Sequence, residues 1–153
     1  MDTKLMMKSF DEHLVDHGLK STRQRSVIAR SFFEKGGHLT LSQVHELVGQ
    51  QDKSIGFATV YRTLKLLVAA GLADEHRFGD GDQAFYEVSG DRDHHDHMIC
   101  VECDTILEYE EPEIERLQEM LAKKMGFKLM GHRHELYGLC AECVSAGRGN
   151  AGD

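Results

Sequence analysis

The chain has 153 residues, four cysteines, 41% hydrophobic and 29% charged residues and a formal net charge of -8. That length allows one ordinary domain or two small ones, the composition is that of a globular protein in water, and no apolar run approaches the roughly 20 residues of a membrane span. The charge is unevenly placed: residues 1–77 carry 11 Lys and Arg against 9 Asp and Glu, whereas residues 78–153 carry 7 against 17. The front half can therefore meet phosphate, and the back half offers carboxylates to cations. No secretory signal opens the sequence, which places the expected site of action in the cytoplasm and favours metal-bound thiolates over disulfides.

Met6, Met7, Phe10, Leu14 and Val15 recur at helical spacing and predict a short helix from Met6 to His17, stopped by Gly18. Thr22 is placed to cap a second helix carrying Val27, Ile28, Phe32 and Phe33 before Gly36-Gly37. Thr40, with Gln43 three residues on, has the form of a capping box for a third helix through Val44, Leu47 and Val48. The segment from Gly56 to Gly71 predicts a fourth helix, with Val60, Leu64, Leu67 and Val68 as its buried stripe. Thr59, Tyr61, Arg62 and Thr63 then remain available near its N-terminus, where a recognition helix presents side chains to the major groove. A hairpin from Ala73 to Val88, turning at Gly79-Asp80-Gly81, completes a winged-helix pattern. An ordinary small helical domain with a surface Tyr-Arg fits the same periodicity.

The second half opens on His94-His95-Asp96-His97-Met98-Ile99-Cys100-Val101-Glu102-Cys103. In extended geometry His95 and His97 share one face, and His94 and Asp96 share the other. Thr105, Ile106, Leu107 and Tyr109 continue as a strand, with Glu108 among apolar neighbours. Pro112 suits the first position of a helix, and Glu113 suits its first turn. Ile114, Leu117, Met120, Leu121 and Met125 form a stripe expected to pack as core on the sheet of its own subunit. Phe127 to Leu139 predicts a further strand with His132 and His134 on one face, and the tail 145–153 is expected to be disordered.

Cys100-x-x-Cys103 and Cys140-x-x-Cys143 are the whole cysteine content. Four thiolates in two such pairs match a closed, structural zinc site, with disulfides or free thiols as the alternatives. His95 and His97, with carboxylates near them, make a nitrogen and oxygen site suited to an exchangeable divalent ion. Isolated histidines such as His13, His17 and His45 are read as solvated. No Gly-rich phosphate loop, Gly-x-Ser-x-Gly or His-Glu-x-x-His motif is present, so enzymatic chemistry has little support.

Three motifs in order carry a family likeness: Gly56-Phe57-Ala58-Thr59-Val60-Tyr61-Arg62, then His94 through Cys103, then Glu135-Leu136-Tyr137-Gly138-Leu139-Cys140-x-x-Cys143. Together, and across nearly the whole chain from Gly18-Leu19-Lys20 to Cys143, the sequence resembles the ferric uptake regulator family of bacterial metal-sensing repressors. The resemblance implies an α+β protein: a winged-helix DNA-binding domain over 1–88, a small α/β metal-binding dimerisation domain over 89–144, and the tail beyond. It implies a regulatory site of His38, Glu87, His95, His97 and Glu108, and an auxiliary site on the other strand face of His94, Asp96, Glu115 and His132. Cys100, Cys103, Cys140 and Cys143 would hold structural Zn2+. On the DNA side Tyr61 and Arg62, with Thr59, match the recognition helix, and Lys20 resembles a basic residue that reaches the minor groove. Arg133 and His134 receive no role and are expected on the surface.

Within the family, glutamates at 87 and 108 argue against peroxide sensing, and the full use of the cysteines elsewhere argues against zinc sensing. The expectation is a non-enzymatic, homodimeric, Fe2+-activated repressor of iron homeostasis genes, bound to double-stranded operator DNA, with no membrane or small-molecule substrate. Mn2+ or Zn2+ are possible substitutes, because the Irving-Williams order favours Zn2+ on the same ligands. Zinc-, manganese- or peroxide-sensing relatives, a zinc hydrolase using His95 and His97, and a zinc-stapled interaction module remain as alternatives.

Overall fold

A computed structural model of the chain describes residues 2–78, 83–89 and 95–148. Two compact units are present, Met1–Arg92 and Asp93–Asp153. No helix among the described residues is long and apolar enough to cross a membrane.

The first unit contains α1 (Thr3–Asp16), α2 (Arg23–Lys35), β1 (Leu39–Thr40), α3 (Leu41–Gly49), α4 (Phe57–Ala69), β2 (Ala73–Arg77) and β3 (Ala84–Val88). Each early helix starts where a side chain satisfies an orphan backbone N–H. Thr22 accepts from Arg25 N–H at the start of α2, and Thr40 and Gln43 form the reciprocal capping box of α3. Gly18 takes a φ of 66° after α1, a left-handed geometry that glycine adopts without steric cost. The three strands form an antiparallel sheet in the order β1-β3-β2, with Glu87 opposite Asp74 and Phe85 opposite His76. The two-residue β1 was not expected from sequence, being too short to show any alternation.

Phe10, Leu14, Ile28, Phe32, Val44, Val48, Val60, Leu64 and Leu67 close the core of this unit, each almost wholly removed from water. The expected stripes of α1 to α4 therefore point inward, except Val15, which is exposed. The expected turn at residues 79–81 lies outside the described residues.

The second unit contains β4 (Asp96–Cys100), β5 (Ile106–Tyr109), α5 (Pro112–Lys124), β6 (Glu135–Gly138) and α6 (Ala141–Ser145). Its sheet has the order β5-β4-β6, antiparallel between β4 and β5 and parallel between β4 and β6. Pro112 does stand in the first turn of α5, where its missing N–H costs nothing, and Lys123 and Lys124 lie in the last turn.

Three expectations for this unit are corrected. The strand foreseen from Phe127 to Leu139 shrinks to Glu135–Gly138, because the parallel ladder with β4 covers only these residues. The stripe of α5 is not a core: Leu117, Met120, Leu121 and Met125 are all at least half exposed, and no residue of α5 is fully buried. The apolar sheet residues Met98, Leu107 and Leu136 are exposed as well. Finally, Ser145 ends α6, and residues 146–148 form a turn after it, so of the tail only 149–153 lies outside the described residues.

Candidate metal centres and nucleic-acid surface

The four cysteines converge. Cys100 ends β4, Cys103 lies in the turn that follows, and Cys140 and Cys143 bracket the first turn of α6. That turn is closed by Asp104 in the left-handed region, with its N–H donating to Cys100 O at 3.0 Å and Cys100 N–H donating to Thr105 O at 2.9 Å. The four Sγ atoms lie within 4.8 Å of one another, with Cys103 and Cys140 at 3.7 Å. A tetrahedron with metal–sulfur bonds of about 2.3 Å has edges of about 3.8 Å, so the donors fit a zinc-sized ion. All four thiols are free.

The electrostatics agree with a site built for a cation. Cys140 N–H donates to Cys100 Sγ at 3.3 Å, and this bond draws the Cys100 thiol down to about 6. Burial first, then the neighbouring sulfurs, pushes Cys143 up to about 12. Four thiolates so close repel one another, and a bound divalent ion is what lets all four lose their protons.

In the first unit, His38 precedes β1 and Glu87 lies on β3. His38 Nε2 is 3.1 Å from Glu87 Oε2, and both side chains are buried. A third residue joins them: His76 on β2 places its Nε2 3.6 Å from the same oxygen, with Phe78 stacked on its ring. His76 was absent from the expected ligands. Its signal was the hairpin register, which puts Asp74, His76, Phe85 and Glu87 on one face.

In the second unit, His95 and His97 stand side by side, their ring centroids 4.9 Å apart, and His97 is buried. Glu108 is opposite His97 in the β4–β5 register, which puts both on one face, with Glu108 exposed.

On the other face of the same strand, Asp96, Glu115 and His132 gather a second donor set within 4.8 Å. His132 Nε2 is 3.1 Å from Glu115 Oε1 and 3.7 Å from Asp96 Oδ1, and Asp96 is only 2% exposed. His94, the fourth expected member, lies outside the described residues. His134, expected on the surface without a role, instead sits 3.4 Å from Asp96 Oδ2 and 2.8 Å from the Tyr109 hydroxyl. Burial, then the charge of Asp96, pushes the Tyr109 phenol above its ordinary range. Arg133 is exposed, as expected, and pairs with Glu135.

On the possible nucleic-acid surface, Lys20, Tyr61 and Arg62 are exposed, and Thr59 is half-buried. Thr63 differs from expectation: it is 1% exposed and its hydroxyl donates to Thr59 O at 2.8 Å, inside the helix's own turn. A hydroxyl satisfied four residues back is not presented to a partner.

Residues 16–137 match the sequence profile of the ferric uptake regulator family. The chain belongs to the ferric uptake regulator family. It is accordingly a metal-responsive regulator and not an enzyme. Among its relatives, the ferric uptake regulation protein of Campylobacter jejuni is 40% identical over 141 residues, covering 91% of this chain and 88% of that one. The Helicobacter pylori ferric uptake regulator, described as having three functional metal binding sites, superimposes with a TM-score of 0.86 at 28% identity, covering 94% of this chain and 95% of that one. A zinc-bound manganese uptake regulator has a TM-score of 0.72 at 39% identity, covering 86% and 98%. The α+β class expected for this family, with helices and a small sheet in each unit, is the one observed.

Proposed function

We propose that this member of the ferric uptake regulator family is a cytoplasmic transcriptional repressor that binds palindromic operator DNA as a homodimer when loaded with Fe2+, and so controls iron homeostasis genes. The observation that carries the reading is the split donor set. The helical unit contributes a buried acid–imidazole pair, His38 and Glu87, and the second unit contributes the adjacent imidazoles His95 and His97, with Glu108 in register. An ion shared by both would gain donors that neither half supplies by itself. Such an ion would fix the angle between the units and shift the population toward the form that fits DNA. In that form Tyr61, Arg62 and Thr59 would face base edges and phosphate in the major groove, and Lys20 would reach the minor groove.

The second unit supplies the rest of the reading. Zn2+ on Cys100, Cys103, Cys140 and Cys143 would act as a permanent staple. The exposed apolar residues Leu117, Met120, Leu121 and Met125 on α5, with Met98, Leu107 and Leu136 on the sheet, are the surface a second copy would cover. Asp96, Glu115 and His132, with His94, would form an auxiliary metal centre.

Iron is favoured by the histidine and carboxylate donors and by the curated relatives, which are ferric uptake regulation proteins. A manganese-responsive reading is the second choice, favoured by the 39% identity to a manganese uptake regulator. Operator binding titrated without oxygen against Fe2+, Mn2+ and Zn2+ separately tests both. Loading with the cognate ion should tighten binding by roughly 10- to 100-fold, and equal operator affinity for metal-free and Fe2+-loaded protein would reject the iron-sensing mechanism.

A further inference from the structure

We propose that His134 is a positioning residue for the auxiliary centre: its Nδ1–H holds one oxygen of Asp96, so that the other oxygen is presented to a divalent ion alongside Glu115 and His132. The inference rests on the reading that this centre takes a metal, and it adds two side chains, His134 and Tyr109, that no ligand set so far includes.

The geometry is specific. Asp96 is buried at the start of β4, and its two oxygens face different histidines. Oδ1 turns toward His132 Nε2 at 3.7 Å, within the three-residue donor set, while Oδ2 lies 3.4 Å from His134 Nδ1. Nδ1 also lies 2.8 Å from the Tyr109 hydroxyl, a hydrogen bond whose direction is set by the tautomer. The positioning role requires the tautomer with the proton on Nδ1, in which the hydroxyl accepts and the N–H faces Asp96 Oδ2 as well.

The backbone holds this arrangement at both ends. His97 N–H donates to His134 O at 3.2 Å, which ties the His134 main chain to β4 one residue beyond Asp96. Tyr109 lies directly opposite Asp96 in the β4–β5 register, so its ring rises on the same face. Turning both oxygens of Asp96 onto one ion would take Oδ2 away from His134, so the proposed role makes Asp96 a one-oxygen ligand. Such outer partners orient the donor and typically change metal affinity by about 10- to 100-fold.

The test uses the full chain with its cysteine site zinc-filled and with His38→Ala added to weaken the regulatory site. Co2+ is titrated anaerobically, with affinity read by calorimetry and ligand geometry by the visible absorption band. His134→Ala should weaken Co2+ at the auxiliary centre by about 10- to 100-fold and change the band. His134→Asn, whose amide N–H can stand where Nδ1–H stands, should restore both. Retained zinc and unchanged circular dichroism check the fold. If the alanine variant does not fold, His134→Gln, whose longer side chain misplaces the N–H, takes its place with the same expected loss. His132→Ala is the control for the centre itself. If it abolishes binding while His134→Ala changes neither affinity nor band, the positioning role is overturned. If His132→Ala also leaves Co2+ binding intact, the auxiliary centre is not a metal site, and the role of His134 falls with it.

Discussion

The two units of this chain are held together by different means. The first buries eighteen of its described residues in one contiguous apolar core and caps α1, α2 and α3 with its own side chains. In the second, the buried apolar residues among those described are Ile99, Cys100 and Cys143, and two of those three are thiols of the four-cysteine cluster. A segment of that size does not gain enough from burial to offset its chain entropy. On the proposed reading, what stabilises it comes from outside the chain: an ion on the cysteines and a surface over the exposed stripe of α5. If the proposed function holds, a unit that responds to metal and partner leaves its folding free energy in their hands, while the unit with the proposed DNA-facing side chains carries its own apolar core.

The largest expected effect breaks that contrast at the metal. Structural zinc sites supply roughly 10–16 kcal/mol of apparent binding energy at neutral pH. Cys143→Ser, or chelation of the native protein, should unfold the second unit and leave the first intact. Amide hydrogen exchange should show protection kept in α2 and α4 and lost across β4 to α6; uniform protection would contradict the account.

Next comes the covering surface. Leu117 and Leu121 are four residues apart on α5 and share a face. Replacing both with Asp should weaken self-association by roughly 100-fold or more, given about 1.5–3 kcal/mol for each buried leucine. Sedimentation equilibrium reads this directly, and an unchanged dimer would move the interface elsewhere.

The converse change is made in the first unit. Phe32→Ala should cost about 3–5 kcal/mol of that unit's stability in urea, with the zinc content of the second unit unchanged.

The smallest effect concerns the ion pair between α4 and β2. Lys65 Nζ lies 2.6 Å from Glu75 Oε2, and this bond holds the Glu75 carboxyl below its ordinary range and raises the Lys65 ammonium above its own. For Glu75 the stabilisation is present above the unfolded carboxylate value of about 4.3 and is lost as pH falls through the lower folded value. For Lys65 it is present below the unfolded value of about 10.4 and is lost as pH rises through the higher folded one. Lys65 is 44% exposed, so Lys65→Met should cost about 1 kcal/mol or less at pH 7. The difference from the native protein should shrink in urea titrations as pH falls from 7 through the lowered Glu75 value.

Much of this was legible in the sequence because the signals were local. Thr22, the Thr40 and Gln43 box, Pro112 and the two Cys-x-x-Cys pairs each state a constraint within a few residues, and the structure meets each one. The sites required more, because pairing across strands decides what faces what. His76 and His134 reach their carboxylates through hairpin register and a loop anchored on β4, neither of which spacing along the chain reveals. The α5 stripe shows a different limit. A row of Leu and Met states that a face must be covered, and says nothing about whether the cover belongs to the same chain. Thr63 shows a third: three residues after Val60 and four before Leu67 it falls on the buried stripe of α4, and its hydroxyl is consumed by its own backbone.

The central claim is that one ion draws its ligands from both units, and a double-mutant cycle on metal affinity tests it most directly. His38→Ala, His97→Ala and the double variant are titrated anaerobically with Fe2+, with operator binding followed in parallel. If His38 and His97 hold the same ion, each single change should remove most of the metal-dependent gain in operator affinity, and the double change should cost little more than either alone. Independent losses that add in full, with each single variant keeping its own metal response, would contradict the shared site.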